Sequence, residues 1–298
     1  MVHEIKRVII DTDPGIDDAH ALMIFLEAEK RNLIKIEAIT LTAGNTSLEN
    51  ACKNTVRLLE SENRTDIPIY KGVKDALLQY NAENSTYFGI DGFGDVFNDE
   101  PNLSLIRKEL SPVIISEIVN ENPGRITLAC LGPLTNIALA AKLNANFFDK
   151  VKECFIMGGN YQGRGNETAS GEFNFYSDPE AAYIVLKTIT CPTTILPIES
   201  CYKAHITLEW RRKVLGQCSK MTLLNQAEDK CYPFVTGETN SWVPADGYLA
   251  AIVLYPEEIV KQKSEQHVTV ELRGLFTRVV EELDVEFYKN IVLDMFKD

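Results

Sequence analysis

Short apolar runs alternate with stretches of helical spacing along most of this chain, and nearly every run ends in a cluster of polar residues and glycine. Val8-Ile9-Ile10 leads directly into Asp11-Thr12-Asp13-Pro14-Gly15-Ile16-Asp17-Asp18, after which Ala19, Leu22, Met23, Phe25 and Leu26 fall on helical intervals. That order predicts a strand, a tight turn stiffened by Pro14 and permitted by Gly15, and a helix N-terminus. Ile36 to Thr42 predicts a second strand stopping at Ala43-Gly44-Asn45, followed by a helix from Leu48 to about Leu59. Asn45 at that junction either hydrogen-bonds a ligand hydroxyl or caps the next helix. Helical spacing from Leu105 to Asn120 precedes a buried strand, Arg125 to Leu131, which ends at Gly132-Pro133-Leu134-Thr135-Asn136 before a helix from Ile137 to Leu143. Cys154 to Met157 and Thr193 to Pro197 predict two more strands. Between them a Gly- and Asn-rich loop leads to Glu172-Phe173-Asn174 and a helix opened by Ser177-Asp178-Pro179-Glu180.

The rhythm breaks in two places. From Gln79 to Pro101 the chain carries Tyr87-Phe88-Gly89-Ile90-Asp91-Gly92-Phe93-Gly94-Asp95, whose glycines and aromatics predict an irregular loop of the kind that forms lids. Leu208 to Glu228 predicts a polar, peripheral helix, followed by Tyr232-Pro233-Phe234. Trp242 to Ile252 predicts another helix, and the alternation from His267 to Leu272 a strand of a small edge hairpin. No linker, repeat or low-complexity tract divides the chain. The pattern therefore predicts one α/β domain over residues 1–298, with a central, mostly parallel sheet flanked by helices.

Composition narrows the function. A 298-residue chain that is 45% hydrophobic can bury a large core, and a net charge of -13 opposes partners that bind through phosphate neutralisation. Nucleic acid and anionic membrane are excluded as expected partners. Seven scattered cysteines without a Cys-x-x-Cys pair read as reduced core thiols. The apolar run before Asp11 is too short for a signal segment, so a cytoplasmic location is expected and the Asn-x-Ser/Thr triplets are taken as chance.

The chemistry concentrates at the first strand-to-helix junction. Taken alone, any one of them reads better as a structural residue, Asp17 and Asp18 capping the first helical turn and Asp11 and Asp13 solvated in the loop. Four carboxylates within eight residues repel one another and raise one another's pKa unless a cation neutralises them. Oxygen donors of that density suit a hard cation, calcium or magnesium, and the ends of strands are where open α/β sheets place ligands.

With these residues laid out, the chain resembles the nucleoside hydrolase family, the inosine-uridine preferring N-ribohydrolases, and weakly its animal branch at Pro197-Ile198-Glu199-Ser200-Cys201. The carrying matches are Asp11 to Ala19, Gly44-Asn45, Gly132 to Ala138, Met157-Gly158-Gly159, Glu172-Phe173-Asn174 and Asp178 to Ala182. The resemblance implies Ca2+ held by Asp13, Asp18, Asp246 and the main-chain carbonyl of Leu131. It implies a ribose site formed by Asp17, Asn45, Met157, Asn166, Glu172 and Asn174, with Asp13 as the general base. It further implies a ribonucleoside substrate, hydrolysed to ribose and free base, and a homodimer or homotetramer.

The chain departs from that family where many members carry histidines that protonate the leaving base, since Ala245 and Phe88 stand at those positions. None of His3, His20, His205 and His267 matches them, and His20 reads as a core or surface residue. Stacking by Phe88, Trp242 or Tyr248, with Tyr87, Tyr232 and Phe234 as further candidates, is the expected substitute, and purine ribosides are expected to be favoured. Two other readings stand beside this one: a catalytically silent riboside-binding relative, and a haloacid dehalogenase-type phosphatase. The second is disfavoured by Pro14 and by the lack of its Lys and Asp motifs.

Overall fold

The computed structural model describes residues 5–78, 85–235, 240–270 and 273–297, without the side chains of 232–235 and 273–279. Strands β1 (Lys6–Thr12), β2 (Ile34–Leu41), β3 (Ile69–Lys71), β4 (Ile106–Arg107), β5 (Ile126–Cys130), β6 (Val151–Met157) and β7 (Thr193–Leu196) follow one another along the chain. After a two-stranded ribbon of β8 (Ile206–Thr207) and β9 (Ser241–Trp242) come β10 (Val260–Val270) and β11 (Arg273–Leu283). Nine of them form one sheet in the order β10-β11-β7-β6-β5-β1-β2-β3-β4. Every pairing in it is parallel except the β10–β11 hairpin at one edge.

Strand β1 lies at the centre because both of its faces are apolar. Val8 and Ile10 belong to one core cluster, Ile9 to the other, and all three are fully buried. Helix α1 (Ile16–Lys30) is buried on nearly every side, as its lack of a polar face requires, and packs against the helix Ala245–Leu254. On the opposite face α3 (Ser111–Glu121) packs against α4 (Thr135–Leu143), while α2 (Leu48–Ser61) shares the core of α1. The chain leaves β1 toward β2 on one side and returns to β5 on the other, so a crevice opens at the carboxyl ends of β1 and β5.

The α/β architecture agrees with the sequence pattern, and two helical segments differ from it. The expected helix from Leu105 starts only at Ser111, because Pro112 falls in its first turn and Ile106–Arg107 pairs with β3 instead. The segment from Leu208 is not one peripheral helix. It forms Leu208–Lys213, two 3-10 turns around Gly216, and Thr222–Val235, with Leu215, Met221 and Leu224 fully buried. All seven cysteines are free thiols. Among the described residues no helix is long and apolar enough to cross a membrane.

Candidate active site

At the end of β1 the chain turns through Asp13-Pro14-Gly15 into α1, which brings Asp13, Asp17 and Asp18 together over the crevice. Asp18 is the most tightly held. Its Oδ1 accepts from Thr12 Oγ1 at 2.5 Å and the Asp13 amide at 3.2 Å, while its Oδ2 accepts from the Gly15 amide at 3.1 Å and Asn45 Nδ2 at 2.8 Å. Asp13 Oδ2 accepts the Asn45 amide at 2.6 Å. The main chain passes so close here that a Cβ at Gly44 or Gly132 would collide with the Asp13 carboxylate. Asp246 reaches the same place from the first turn of the helix Ala245–Leu254, and Asp17, Asp18 and Asp246 each present an oxygen within 4.8 Å of the others.

Asp13 Oδ1 and Asp246 Oδ1 are buried and accept no hydrogen bond. Burial first, and then the Asp18 charge, pushes Asp13 and Asp246 well above the ordinary carboxylate range, and burial raises Asp17 and Asp18 as well. Buried anions in mutual repulsion with unmet lone pairs are the electrostatic signature of a cation site. The donor set fits a hard cation, because it offers only oxygens: the three expected carboxylates, Asp17, and the Leu131 carbonyl at the end of β5. That carbonyl is aimed by Asn174 Nδ2, which donates to it at 2.6 Å and to the Met157 carbonyl at 3.2 Å. Asp11, in β1 two residues before Asp13, is pushed by burial to about 7, with Thr40 Oγ1 and Asn136 Nδ2 on one oxygen.

Above the carboxylates lies a cavity of about 540 Å³. Asp17, Asn45, Leu131, Met157, Asn166, Glu172, Asn174 and Asp246 line it, and Asp13 and Asp18 lie just behind its Asn45 wall. Glu172 caps the short helix Phe173–Ser177 and accepts the amides of Gly159, Asn174 and Phe175. Burial pushes it to about 7. Asn166 is fixed by the Phe173 amide at 2.8 Å. The structure thus gathers every residue expected at the metal and sugar positions into one place.

The outer part of the cavity is aromatic. Phe88 lies against Gly15 with Tyr87 edge-on at 4.8 Å, and Trp242 forms part of the facing lining. Tyr248 does not belong there. Its ring is fully buried against Tyr288, and its hydroxyl donates to the Ala204 carbonyl at 2.5 Å, because helical geometry turns it away from Asp246 two residues earlier. The side chains of Tyr232 and Phe234 lie outside the described residues.

His20, which the sequence pattern placed in the core or on the surface, also lines the cavity, as do Tyr202, Glu228, Cys231 and Ser241, which it did not single out. His20 is indeed a core residue, with Nε2 on the Tyr288 hydroxyl at 2.8 Å and its ring beside Trp242, and burial holds its pKa at about 3. It is neutral and supplies no readily released proton. Glu228 carried a visible signal: it shares the helical stripe of Leu224, Ala227 and Cys231, and a charge on an apolar stripe marks a buried partner.

The cavity is oxygen-lined at one end and aromatic at the other, a lining that suits a small molecule with a hydroxyl-rich part and a planar part. The chain belongs to the inosine-uridine preferring nucleoside hydrolase family, whose model matches residues 8–290. It is 36% identical over 181 residues to uridine nucleosidase 1 of Arabidopsis thaliana, a stretch covering 60% of this chain and 53% of that protein. It is also 36% identical over 210 residues to the inosine-uridine preferring nucleoside hydrolase of Leishmania major, covering 70% and 65%. The matched stretch thus spans from about half to just under two thirds of these curated relatives. A solved inosine-guanosine nucleoside hydrolase superposes over 98% of both chains with a TM-score of 0.87 at 27% identity.

Proposed function

We propose that this protein is a calcium-dependent nucleosidase that hydrolyses the N-glycosidic bond of ribonucleosides, purine ribosides first, to ribose and free base. The observation carrying this reading is the pair of unpartnered buried oxygens on Asp13 and Asp246, one behind and one lining the oxygen-rich end of a cavity whose other end is aromatic. Asp13, Asp18, Asp246 and the Leu131 carbonyl would hold the ion. Bound calcium supplies charge neutralisation and Lewis acidity toward hydroxyl oxygens.

The chain's own groups account for the remaining steps. Asn45, Asp17, Asn166, Glu172 and Asn174 hold the ribose hydroxyls, with the main chain at Met157. Bond cleavage leaves positive charge on the sugar, which the surrounding carboxylates stabilise. Asp13 is the base that takes a proton from the attacking water, because its Oδ1 has no other partner while its Oδ2 is fixed by Asn45.

The purine preference follows from the outer cavity. Ala245 and Phe88 hold no proton, and neutral His20 does not replace them. A purine carries a further basic ring nitrogen that solvent can protonate, whereas a pyrimidine depends more on a positioned acid. Relatives named for uridine and for inosine with guanosine lie on both sides of this choice. The test is kcat/KM for inosine, adenosine, uridine and cytidine, with and without chelator. Uridine equal to or faster than inosine removes the purine preference, and calcium-dependent riboside binding without turnover replaces the enzyme with a binding protein.

A further inference from the structure

We propose that the buried Arg211–Glu228 ion pair is a positioning device that fixes the Trp242 indole as the stacking surface for the nucleobase. This rests on the functional reading above and assigns roles to residues outside the metal and sugar sites. The three residues come from separate segments: Arg211 from the helix Leu208–Lys213, Glu228 from the helix Thr222–Val235 and Trp242 from β9. Arg211 and Glu228 pair directly, and both are almost wholly buried. Trp242 Nε1 donates to Glu228 Oε1 at 3.2 Å, and the Arg211 guanidinium lies 5.4 Å from the centroid of the Trp242 ring. Arg211 is itself held, its Nη1 donating to Asn225 Oδ1 at 2.9 Å. His20 meets the indole edge-on at 5.1 Å.

Glu228, Trp242 and His20 line the cavity, whereas Arg211 and Asn225 do not. A buried ion pair is weak as a source of stability, because desolvating both charges offsets their attraction and an apolar pair of equal volume does as well or better. Its placement against a cavity-lining indole gives it a different use. An indole already fixed by its N–H and by a cation beside its ring loses little freedom when a planar base stacks on it, so the stacking contact reaches the bound complex undiminished. Among the described residues this group is joined by the Arg211–Glu228 pair and the Trp242–Glu228 bond rather than through the sugar carboxylates, so its effect belongs to the base.

The sequence contains two tryptophans, Trp210 and Trp242, so Trp210→Phe leaves Trp242 as the single indole reporter. In that background Glu228→Gln keeps an acceptor for the indole N–H but removes the charge. The double variant Arg211→Met/Glu228→Gln removes both charges and leaves no lone buried ion that could unfold the protein. Both variants are expected to raise KM for nucleosides roughly three- to tenfold, the range of an aromatic stacking contact. Inhibition by free ribose should stay unchanged, and quenching of Trp242 by bound nucleoside should weaken. In a Trp242→Leu background the same substitutions should change KM less than about twofold, because contacting residues couple only while both are present.

An unchanged KM and quench in a folded double variant overturns the proposal. So does an equal rise in the ribose inhibition constant, or an effect that persists undiminished without Trp242. If the unmodified protein neither cleaves nucleosides nor shows quenching by them, the functional reading and this inference fall together. If it cleaves them while the variants are silent, this inference alone falls.

Discussion

The two ends of the cavity are held by different kinds of structure. At the sugar end Asp13, Leu131 and Met157 sit at or just past the ends of central parallel strands, and main-chain amides of Asp13, Gly15, Asn45, Gly159 and Asn174 fix the oxygens of Asp18, Asp13 and Glu172. At the base end they come from the loop around Phe88, the helix Thr222–Val235 and the short strand β9, and side chains do the holding. Backbone anchoring specifies one geometry for one chemistry, whereas side-chain anchoring leaves room for substitution. On this account cleavage chemistry resides in the first half and base choice in the second.

The sharpest break in that division is Asp13→Asn. The amide keeps an oxygen but accepts no proton, so kcat should fall by ~10²–10⁴-fold while riboside affinity changes far less. Loss of affinity with kcat intact at saturation would move the base elsewhere. Next in size is removal of the ion. At a calcium concentration of about 100 times Kd, binding adds roughly 2.7 kcal/mol to stability, and a chelator should therefore lower Tm by several degrees. An unchanged Tm, with no metal found by elemental analysis of the untreated protein, would remove calcium from the account.

Acid–base behaviour sharpens the same half. Burial raises Glu172 from the ordinary carboxylate range to about 7. Between those values the folded state keeps a proton that the unfolded chain has lost, so this contribution is complete in acid and is lost as pH rises through 7. Glu172→Gln should accordingly flatten the decline of Tm from pH 5 to pH 8. A decline as steep as that of the unmodified protein would assign the pH dependence to the Asp cluster.

The base half is probed by two smaller changes. Ala245→His places an imidazole in a cavity-lining position at a helix start, and should raise kcat on pyrimidine ribosides about tenfold, less than a fully positioned acid gives. No gain, with binding intact, would mean that this helix start does not face the leaving base. Phe88→Ala should raise KM roughly threefold with kcat nearly constant. A loss confined to kcat would make Phe88 part of the chemistry.

The same contrast decides what could be read in advance. Asp13, Asp17, Asp18 and Asn45 stand where an apolar run gives way to a turn, and local periodicity is enough to mark such points, whereas Leu131, Met157 and Glu172 took their roles from the family resemblance. Asp246, Asn166 and Asn174 took their roles from the family resemblance, and the fold gathers them at the same cavity. Arg211 escaped because its burial arises from pairing with a separate segment, which no local window contains, whereas Glu228 stood on an apolar helical stripe that marked it and was passed over. Tyr248 was misassigned for a related reason: nearness in sequence to Asp246 says nothing about the direction of a side chain two residues along a helix. The helix expected from Leu105 failed at Pro112, where a strong apolar period hid a backbone constraint.

The ends of the sheet carry one more consequence. A sheet's outermost strands expose unpaired amides and carbonyls that can recruit a strand from another molecule. Here one rim ends in β4, only two residues long. The other ends in β10, eleven residues long, whose exposed positions include Lys261, Lys263 and Glu265. Brevity guards the first rim and charge the second. Replacing Lys261 and Lys263 with valine would remove both lysines from this rim and leave Glu265 as its only formal charge, and such a protein should form β-rich aggregates under conditions where the unmodified chain stays dispersed.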